Sequence, residues 1–431
     1  MVNERRWLVL IFSLYFFLAV GYSLLMPIWE APDEPAHYHL AWRLARKNQY
    51  ASLKINYEAG QPRTFYYMGS WIIRALDQVN PKLSDYYLPK ELKFNFRIRE
   101  HRFEWSDENY RFLLGVYSLR WLNIVFGGLA AWLNWKTFRL LAPERPTLQL
   151  AALALAALTP QYLHIMSSVN NDALGTLAGA LLFYLGIRVS RDSPSWLELL
   201  AIILALLLPF FSKLTLLPVS VALLLIVILK WISGFRRKKW LLILGIAVLT
   251  SAGIFYLLFP ETVQFAWNEI SWRLFSLRKN ALTLRYLKLV LNQIVWTYWG
   301  KVGWLAVGLN VWVVNILTGL GLFGMALSSI RLIRTKLNDP QFHPWLAACL
   351  VAVFTIVAVF RNGLTTYATQ GRFLFPAIGA LCFLMVSGWH DLLPERGRRF
   401  LPTLIVLCML ACNISLWLGG IVPVYYQPFL D

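Results

Sequence analysis

Long apolar runs, separated by short polar or basic connections, make up most of the chain. A helix that crosses a bilayer needs about twenty predominantly apolar residues, and runs of that order recur along the sequence. The predicted spans are Trp7–Ile28, Phe112–Trp135, Leu148–Met166, Ala173–Val189, two arms within Leu197–Leu229, Leu241–Phe259, Trp304–Leu332, Trp345–Phe360, Phe373–Ser387 and Leu401–Val422. The pattern therefore predicts an all-α polytopic membrane protein with about eleven transmembrane helices.

The stretch Leu197–Leu229 is too long for one helix perpendicular to the membrane, so we expect it to turn back on itself. Pro209, Ser212 and Pro218 mark the turn, and Lys213 at its tip is the only cation within the stretch. A lysine is costly inside a bilayer and usually faces a partner or a cavity, but its long side chain can also extend to the lipid headgroups. The sequence leaves both interpretations of Lys213 open.

Two longer polar stretches interrupt the spans, Glu30–Tyr110 and Glu261–Lys301. In the first, His37–Arg46 has helical periodicity and Phe65–Leu76 is an amphipathic segment suited to the membrane surface. The second mixes tryptophans with cations, which suits a pair of interfacial helices beside anionic headgroups. We therefore expect a long first exoplasmic loop that carries juxtamembrane helices.

The formal net charge is +19, and 58% of the residues are hydrophobic. Because the basic residues cluster in alternate short connections, the charge indicates topology rather than a nucleic-acid surface. We expect a multi-pass plasma-membrane protein with a retained first helix, a cytoplasmic N-terminus, an exoplasmic C-terminus and no nucleic-acid partner. The predicted organisation is a single integral membrane domain, 1–431, divided into the first span (1–28), an exoplasmic loop (29–111), spans two to seven (112–259), an exoplasmic interfacial segment (260–303) and spans eight to eleven (304–431).

All four cysteines lie inside apolar runs: Cys349, Cys382, Cys408 and Cys412. They form no CxxC pair and have no histidine at ligand spacing. We interpret them as small core residues and predict neither a zinc site nor a disulfide framework.

The stretch Trp29–Tyr38, WEAPDEPAHY, places two adjacent carboxylates, Asp33 and Glu34, where the first membrane helix has just ended. An acidic residue at such a position can simply cap the next helix. Other polar groups, however, fall on the same face under the predicted topology. They are His37, Gln61, Tyr66, Tyr67, Asn170, Asn171, Asp172, Lys213, Lys301, Gln370 and Arg372.

Carboxylates, cations and aromatics that meet at one membrane face suit a site for a sugar phosphate. A carboxylate can take a proton, cations can hold phosphate, and aromatic rings can stack on sugar. Each residue also has a plainer interpretation. Asn171 and Asp172 could cap the following helix, and Arg372 could anchor to headgroups.

Several of these residues lie in motifs that resemble a known family. PDEPAHY, followed by EAGQPRTFYYMGSW, resembles the first exoplasmic loop of GT-C-fold glycosyltransferases, in which an Asp-Glu pair precedes a helix and a Pro-Pro-Leu-Tyr-Tyr-like segment follows. NNDALGTLAGALLFYL, FSKLTLLP, YWGKVGW and TQGRFLFP are similar in order and spacing to motifs of bacterial and archaeal membrane proteins related to the protein mannosyltransferase and aminoarabinose transferase families. The chain departs from the usual pattern at Arg63, Thr64 and Val302.

The resemblance implies a GT-C-like membrane glycosyltransferase that moves a sugar from a polyprenyl-phosphate donor to an acceptor at the exoplasmic face, with inversion. Asp33 matches the general base of such enzymes, and Glu34 would tune Asp33 or position the acceptor. Arg372 and Lys213 are candidate partners of the donor phosphate. The remaining candidates for donor or acceptor binding are His37, Tyr66, Tyr67, Asn171, Asp172, Lys301 and Gln370.

We predict no obligate cofactor, with room for an optional divalent cation, magnesium or manganese, at the few carboxylates. The predicted partners are the polyprenyl-phosphate sugar, membrane lipids and an acceptor that is a glycan, a lipid or a protein. The rival hypothesis is a transporter or flippase of a lipid-linked or anionic solute, which would explain the broken hairpin. An inactive scaffold on the same fold is a third alternative.

Overall fold

A computed structural model describes residues 3–84, 113–191, 195–232, 257, 260–335, 339–367 and 369–426. Its helices are α1 (Glu4–Leu25), α2 (Glu34–Lys47), α3 (Thr64–Val79), α4 (Leu113–Leu141), α5 (Pro146–Leu158), α6 (Pro160–Met166), α7 (Asp172–Arg191), α8 (Trp196–Leu206), α9 (Leu208–Phe211), α10 (Leu217–Ile232), α11 (Pro260–Phe275), α12 (Leu284–Trp299), α13 (Val311–Arg334), α14 (Phe342–Thr365), α15 (Ile378–Leu392), α16 (Glu395–Leu416) and α17 (Val422–Tyr425). The strands are β1 (Lys301–Val302) and β2 (Val307–Gly308), which pair antiparallel. Short 3-10 turns cover Tyr57–Gly60, Pro81–Ser84, Leu214–Leu216 and Gly371–Ala377, and a π-helical turn covers Trp417–Ile421.

The predicted multi-pass helical architecture is confirmed. Within the described ranges, seven helices are long and apolar enough to cross a membrane, or eight if the bent pair α5 and α6 forms one span. Two shorter apolar helices, Leu197–Leu206 and Leu214–Lys230, add to these. The predicted span Leu241–Phe259 lies outside the described residues, so the total of eleven stays a prediction.

The predicted span Leu148–Met166 is wrong as a single straight helix, because α5 and α6 meet at an angle of 57°. The break lies at Thr159 and Pro160. Proline lacks the N–H that would continue the helix, and it moves the preceding residue out of helical geometry. The bend carries the chain away from the buried α5 towards the cluster of polar residues described below.

Two other predicted boundaries need correction. The span expected from Trp304 begins instead at Val311, after the β1–β2 hairpin, and Asn310 caps it by accepting a hydrogen bond from the Trp312 N–H at 2.9 Å. The span expected from Phe373 begins as the 3-10 turn Gly371–Ala377 before α15. Both corrections place irregular backbone at the same end of the helices.

The expected break within Leu197–Leu229 is present: α8 and α9 lead into it and α10 leads away. Lys213 has an extended backbone between Ser212 and the 3-10 turn that follows. The amphipathic segments of the first loop form α2 and α3, and the second polar stretch forms the helix pair α11 and α12. Helix α2 packs on α3, and α1, α4, α15 and α16 surround the buried α5.

Candidate functional site

Asp33 occupies the N-cap position of α2, but its side chain makes no capping hydrogen bond. Its carboxylate instead contacts Arg372, with 2.7 Å between Oδ2 and Nη2, and Oδ1 accepts a hydrogen bond from the Tyr57 hydroxyl at 3.0 Å. The backbone has φ 64°, a left-handed conformation that is uncommon for residues other than glycine. Such a conformation costs of order 1–3 kcal/mol and is concentrated at functional sites. The capping interpretation of this residue therefore does not hold.

Arg372 joins two acidic residues from distant parts of the chain. Its Nη2 binds Asp33, and its Nη1 lies 3.5 Å from Oδ2 of Asp172. The Arg372 side chain is 6% exposed, which excludes the alternative of an anchor among lipid headgroups. Its Nε and Nη1 make no hydrogen bond with the described residues. A buried guanidinium with unused donors has capacity left for an anionic ligand.

Lys213, from the broken hairpin, completes a cluster of four charged residues, Asp33, Asp172, Lys213 and Arg372, called the Asp33 cluster below. Its Nζ lies 2.6 Å from Oδ1 of Asp172 and 2.9 Å from Oδ1 of Asn171, and its side chain is 9% exposed. Lys213 therefore faces a partner inside the protein and does not extend to the headgroups. Asn171 in turn donates from Nδ2 to Oε1 of Gln61 at 3.3 Å. The Ala173 N–H is capped by Asn170, which leaves the Asp172 carboxylate for the two cations.

Glu34, expected beside Asp33 in the site, is instead held in a buried ion pair with Arg120. Both oxygens are occupied, at 2.8 Å from Nε and 2.6 Å from Nη2, and both side chains are fully buried. The N–H groups of Trp29 and Val169 also donate to this carboxylate at 3.0 Å each. Glu34 thus links the first loop to α4 and to the turn before α7, and it makes no described contact with the Asp33 cluster.

The aromatic candidates of α3 separate onto two faces. Tyr66 is fully buried, and its hydroxyl lies 2.8 Å from Nδ1 of His37, with the two rings stacked. Tyr67 is 44% exposed, because the next residue of an α-helix lies about 100° around its axis. The structure therefore brings His37 and Tyr66 together and leaves Tyr67 at the surface.

Gln370 and Lys301 lie on neighbouring irregular segments. Gln370 directly precedes Arg372's 3-10 turn, and its buried Oε1 has no hydrogen-bond partner among the described residues. Lys301 lies in β1 with its Nζ 4.4 Å from the ring centre of Trp296, and its N–H donates to Gln161 at 2.6 Å. No described contact joins Lys301 to the Asp33 cluster.

Three residues of this region were missed by sequence reasoning. Tyr57 bonds Asp33, Glu58 follows it in the same turn, and Arg120 holds Glu34. Arg120 carried a usable signal, because a charge inside an apolar run of spanning length usually has a functional or structural partner. Tyr57 and Glu58 carried no comparable signal within a polar loop.

The electrostatics of the loop residues follow from burial and from the two cations. Burial alone would raise the pKa of Asp33, but the guanidinium of Arg372 outweighs it, and the pKa lies below the ordinary value of 3.8. For Glu58, burial and the nearby Asp33 raise the pKa to about 7 against the opposing effect of Lys213 and Arg372. Burial lowers the pKa of His37 to about 3. At neutral pH, Asp33 is ionised, His37 is neutral and Glu58 is close to half-protonated.

Within the described ranges, no group of three or more His, Cys, Asp or Glu side chains is arranged to hold a metal ion. Asp33 and Asp172 are each already paired with a cation. The expected optional divalent cation thus stays a prediction.

Two comparisons of sequence bear on this arrangement. Residues 115–256, about a third of the chain, match the family described as dolichyl-phosphate-mannose-protein mannosyltransferase. This segment contains Asp172 and Lys213 and excludes Asp33 and Arg372. Among curated proteins, none matches the chain.

Two solved structures are similar in fold to this protein over nearly the whole chain. ArnT from Cupriavidus metallidurans, in a crystal structure bound to undecaprenyl phosphate, is 13% identical with a TM-score of 0.50, covering 97% of this chain and 74% of ArnT. The oligosaccharyltransferase of Archaeoglobus fulgidus in its apo form is 13% identical with a TM-score of 0.51, covering 97% of this chain and 56% of that enzyme. At such identities the likeness shows the fold. The predicted resemblance is confirmed at that level: the chain is a multi-pass membrane protein with the fold of the GT-C glycosyltransferases.

Proposed function

We propose that this protein is a membrane glycosyltransferase that uses a polyprenyl-phosphate-linked sugar and transfers the sugar to an acceptor at the exoplasmic face. The observation that carries the proposal is the buried cluster in which Arg372 and Lys213 lie beside Asp33 and Asp172. Its two cations converge from separate elements, and Arg372 has unused donors. The match to a mannosyltransferase family and the fold shared with ArnT support the same class of reaction.

In this proposal, the donor phosphate binds Arg372 and Lys213. A guanidinium can bind phosphate through two parallel N–H groups, and the lysine adds a point charge. Since Arg372 is paired with Asp33, the phosphate would compete with that carboxylate for the guanidinium. Donor binding would then release the Asp33 oxygen for the acceptor, and the donor would bind first.

The chemical step is a single displacement at the anomeric carbon. Asp33 takes the proton of the acceptor hydroxyl or amine as its oxygen or nitrogen forms the new glycosidic bond. The bond from the anomeric carbon to the phosphate oxygen breaks, and its electron pair stays on the phosphate, where Arg372 and Lys213 neutralise the charge. One displacement inverts the configuration. Because two cationic side chains neutralise the leaving phosphate, the proposed reaction needs no obligate metal. We therefore expect activity to be retained in the presence of EDTA.

The test uses purified protein in lipid with a polyprenyl-phosphate hexose and a panel of acceptors. Asp33→Asn keeps the size of the side chain but removes the basic oxygen, so we expect turnover to fall by about 10² to 10⁴. Donor binding should be at least as tight as in the wild type, because the carboxylate that competes for Arg372 has lost its charge. Arg372→Ala and Lys213→Ala should each weaken donor binding by about 1.5–3 kcal/mol, the range for a hydrogen bond to a charged group. Lys279→Ala, an exposed lysine of the second polar stretch, is the matched control.

Wild-type transfer rates in Asp33→Asn would remove Asp33 as the base. Unchanged donor affinity in both cation variants would remove the phosphate site. If the wild type transfers no sugar but moves a lipid-linked solute across the bilayer, and Asp33→Asn does not, the transporter hypothesis replaces this one.

A further inference from the structure

A second polar site lies at the other end of the helices. A cavity of about 970 Å³ is formed between the C-terminal ends of α13 and α15, the residue that precedes α5 and the segment before α14. Its charged lining is Arg145, Arg331, Arg334, Asp339 and Asp391, and its apolar lining includes Leu327 and Leu392. None of these residues belongs to the Asp33 cluster.

The two sites lie at opposite ends of the same elements. Helix α15 follows the turn that carries Arg372 and ends beside Asp391. Helix α13 begins just after the β1–β2 hairpin and spans 24 residues to Arg334. At 1.5 Å per residue that is a separation of about 36 Å, the thickness of a bilayer core with part of its headgroup layer. The cavity is therefore at the cytoplasmic face if the Asp33 cluster is exoplasmic.

Two of the three guanidiniums of the cavity are held in place by one carboxylate. Arg145 lies 2.6 Å from Oδ1 of Asp391, and Arg331 lies 2.5 Å from its Oδ2. The Arg331 guanidinium also stacks over the ring of Trp345 at 4.3 Å. No carboxylate pairs with Arg334 in the part of the chain that the structure describes. Three guanidiniums with five N–H donors each thus share a cavity in which Asp391 uses only a few of those donors.

The positive-inside rule explains why basic residues lie on this face, but not why they converge on a cavity. Next to the guanidiniums, α13 exposes Ile330 and Ile333, and Leu392 is also exposed. Fixed cations next to an exposed apolar surface match the two parts of a phospholipid, and basic pockets between transmembrane helices on this side bind anionic headgroups. A soluble anion would gain no favourable contact from the apolar lining.

We propose that this cavity binds the phosphodiester headgroup of an anionic phospholipid from the inner leaflet, with Arg334 and Arg331 on the phosphate and the acyl chains along Ile330 and Leu392. The test uses full-length protein in a neutral detergent, titrated with phosphatidylglycerol, phosphatidylcholine or inorganic phosphate. Bound lipid is counted by native mass spectrometry, and the unfolding temperature is measured in parallel. We expect retained phosphatidylglycerol and a raised unfolding temperature, and neither with phosphatidylcholine.

Arg334→Gln should weaken phosphatidylglycerol binding roughly tenfold, which is the loss of one charge-assisted hydrogen bond. Arg396→Gln makes the same charge change at an exposed residue at the start of α16, outside the cavity lining, and should have no effect. Arg372→Ala should also leave this binding unchanged, which separates the cavity from the proposed donor site. Equal binding of both phospholipids, wild-type affinity in Arg334→Gln, or displacement by inorganic phosphate at equal concentration would overturn the proposal.

Discussion

At the scale of single residues, Asp33 and Arg372 form an ion pair within the polar cluster. The pairing accounts for the absence of a capping bond from the Asp33 side chain, and it occurs at a residue with a left-handed backbone. Its consequence for acid–base chemistry is that Asp33 is ionised well below neutral pH, while the neighbouring Glu58 titrates near 7. The pH profile of the reaction can therefore tell which of the two takes the proton.

If Asp33 is the base, kcat/KM should show no rising limb from this residue between pH 5 and 8, since its pKa lies below 3.8. The measurement is the pH profile of sugar transfer for the wild type and for Glu58→Gln. A rising limb near pH 7 that is absent from Glu58→Gln would contradict the assignment and make Glu58 the base.

Glu58 and His37 should give the folded protein opposite pH dependences. Folded Glu58 keeps its proton to about pH 7, against 4.5 ordinarily, so the folded state binds more protons in that window and its contribution to stability falls as the pH rises. His37, lowered to about 3 from 6.5, contributes stability that is present above pH 6.5 and lost as the pH falls.

Unfolding temperatures in detergent between pH 5 and 8 can separate the two contributions. The difference between wild type and Glu58→Gln should decrease as the pH rises through 7, and the difference between wild type and His37→Gln should increase as the pH rises towards 6.5. A pH-independent difference in either variant would show that the residue does not titrate as described.

Glu34 should affect stability rather than the chemical step. Glu34→Gln leaves the Arg120 guanidinium buried without a counter-charge, and breaking such a pair costs about 3 kcal/mol or more. The free energy of unfolding in detergent measures this cost. Glu395→Gln breaks an exposed pair with Arg399 and should change nothing measurable. Equal stability of the two variants would remove the structural role of Glu34.

At the scale of elements, the site depends on how closely α7 approaches the turn that carries Arg372. A Cβ atom at Gly179 would run into the backbone of Pro376, so only glycine allows this approach. Asp172 at the start of α7 and Arg372 are thereby held within reach of each other.

Gly179→Ala should push the two elements apart, costing about 1–3 kcal/mol of stability and weakening donor binding. Gly319→Ala is the control, because a Cβ at that position of α13 meets nothing within 4 Å. The measurements are unfolding and donor affinity for both variants. Wild-type donor affinity in Gly179→Ala would show that the spacing of α7 and the turn does not set the phosphate site.

At the scale of the whole molecule, the helices connect two polar ends, one with the Asp33 cluster and one with the arginine cavity. Labelling with a membrane-impermeant thiol reagent, in a background without the four native cysteines, tests which end is outside. Because Asn171 is fully buried, an exposed position serves better. Lys279→Cys should be labelled from outside and Glu395→Cys should not. Reversed labelling would place the Asp33 cluster at the cytoplasmic face and contradict the predicted exoplasmic site.

The sequence by itself determined the membrane class, the position of most helices and the choice of Asp33, Asp172, Lys213 and Arg372. Those conclusions rest on hydropathy, on costly charges in apolar runs and on motif order, all of which are local properties. Only the tertiary structure decided which charges meet. Two adjacent carboxylates, Asp33 and Glu34, look alike in the sequence, yet one is paired with Arg372 and the other with Arg120. Partners that lie 339 and 86 residues away are selected by helix packing, which no local pattern encodes.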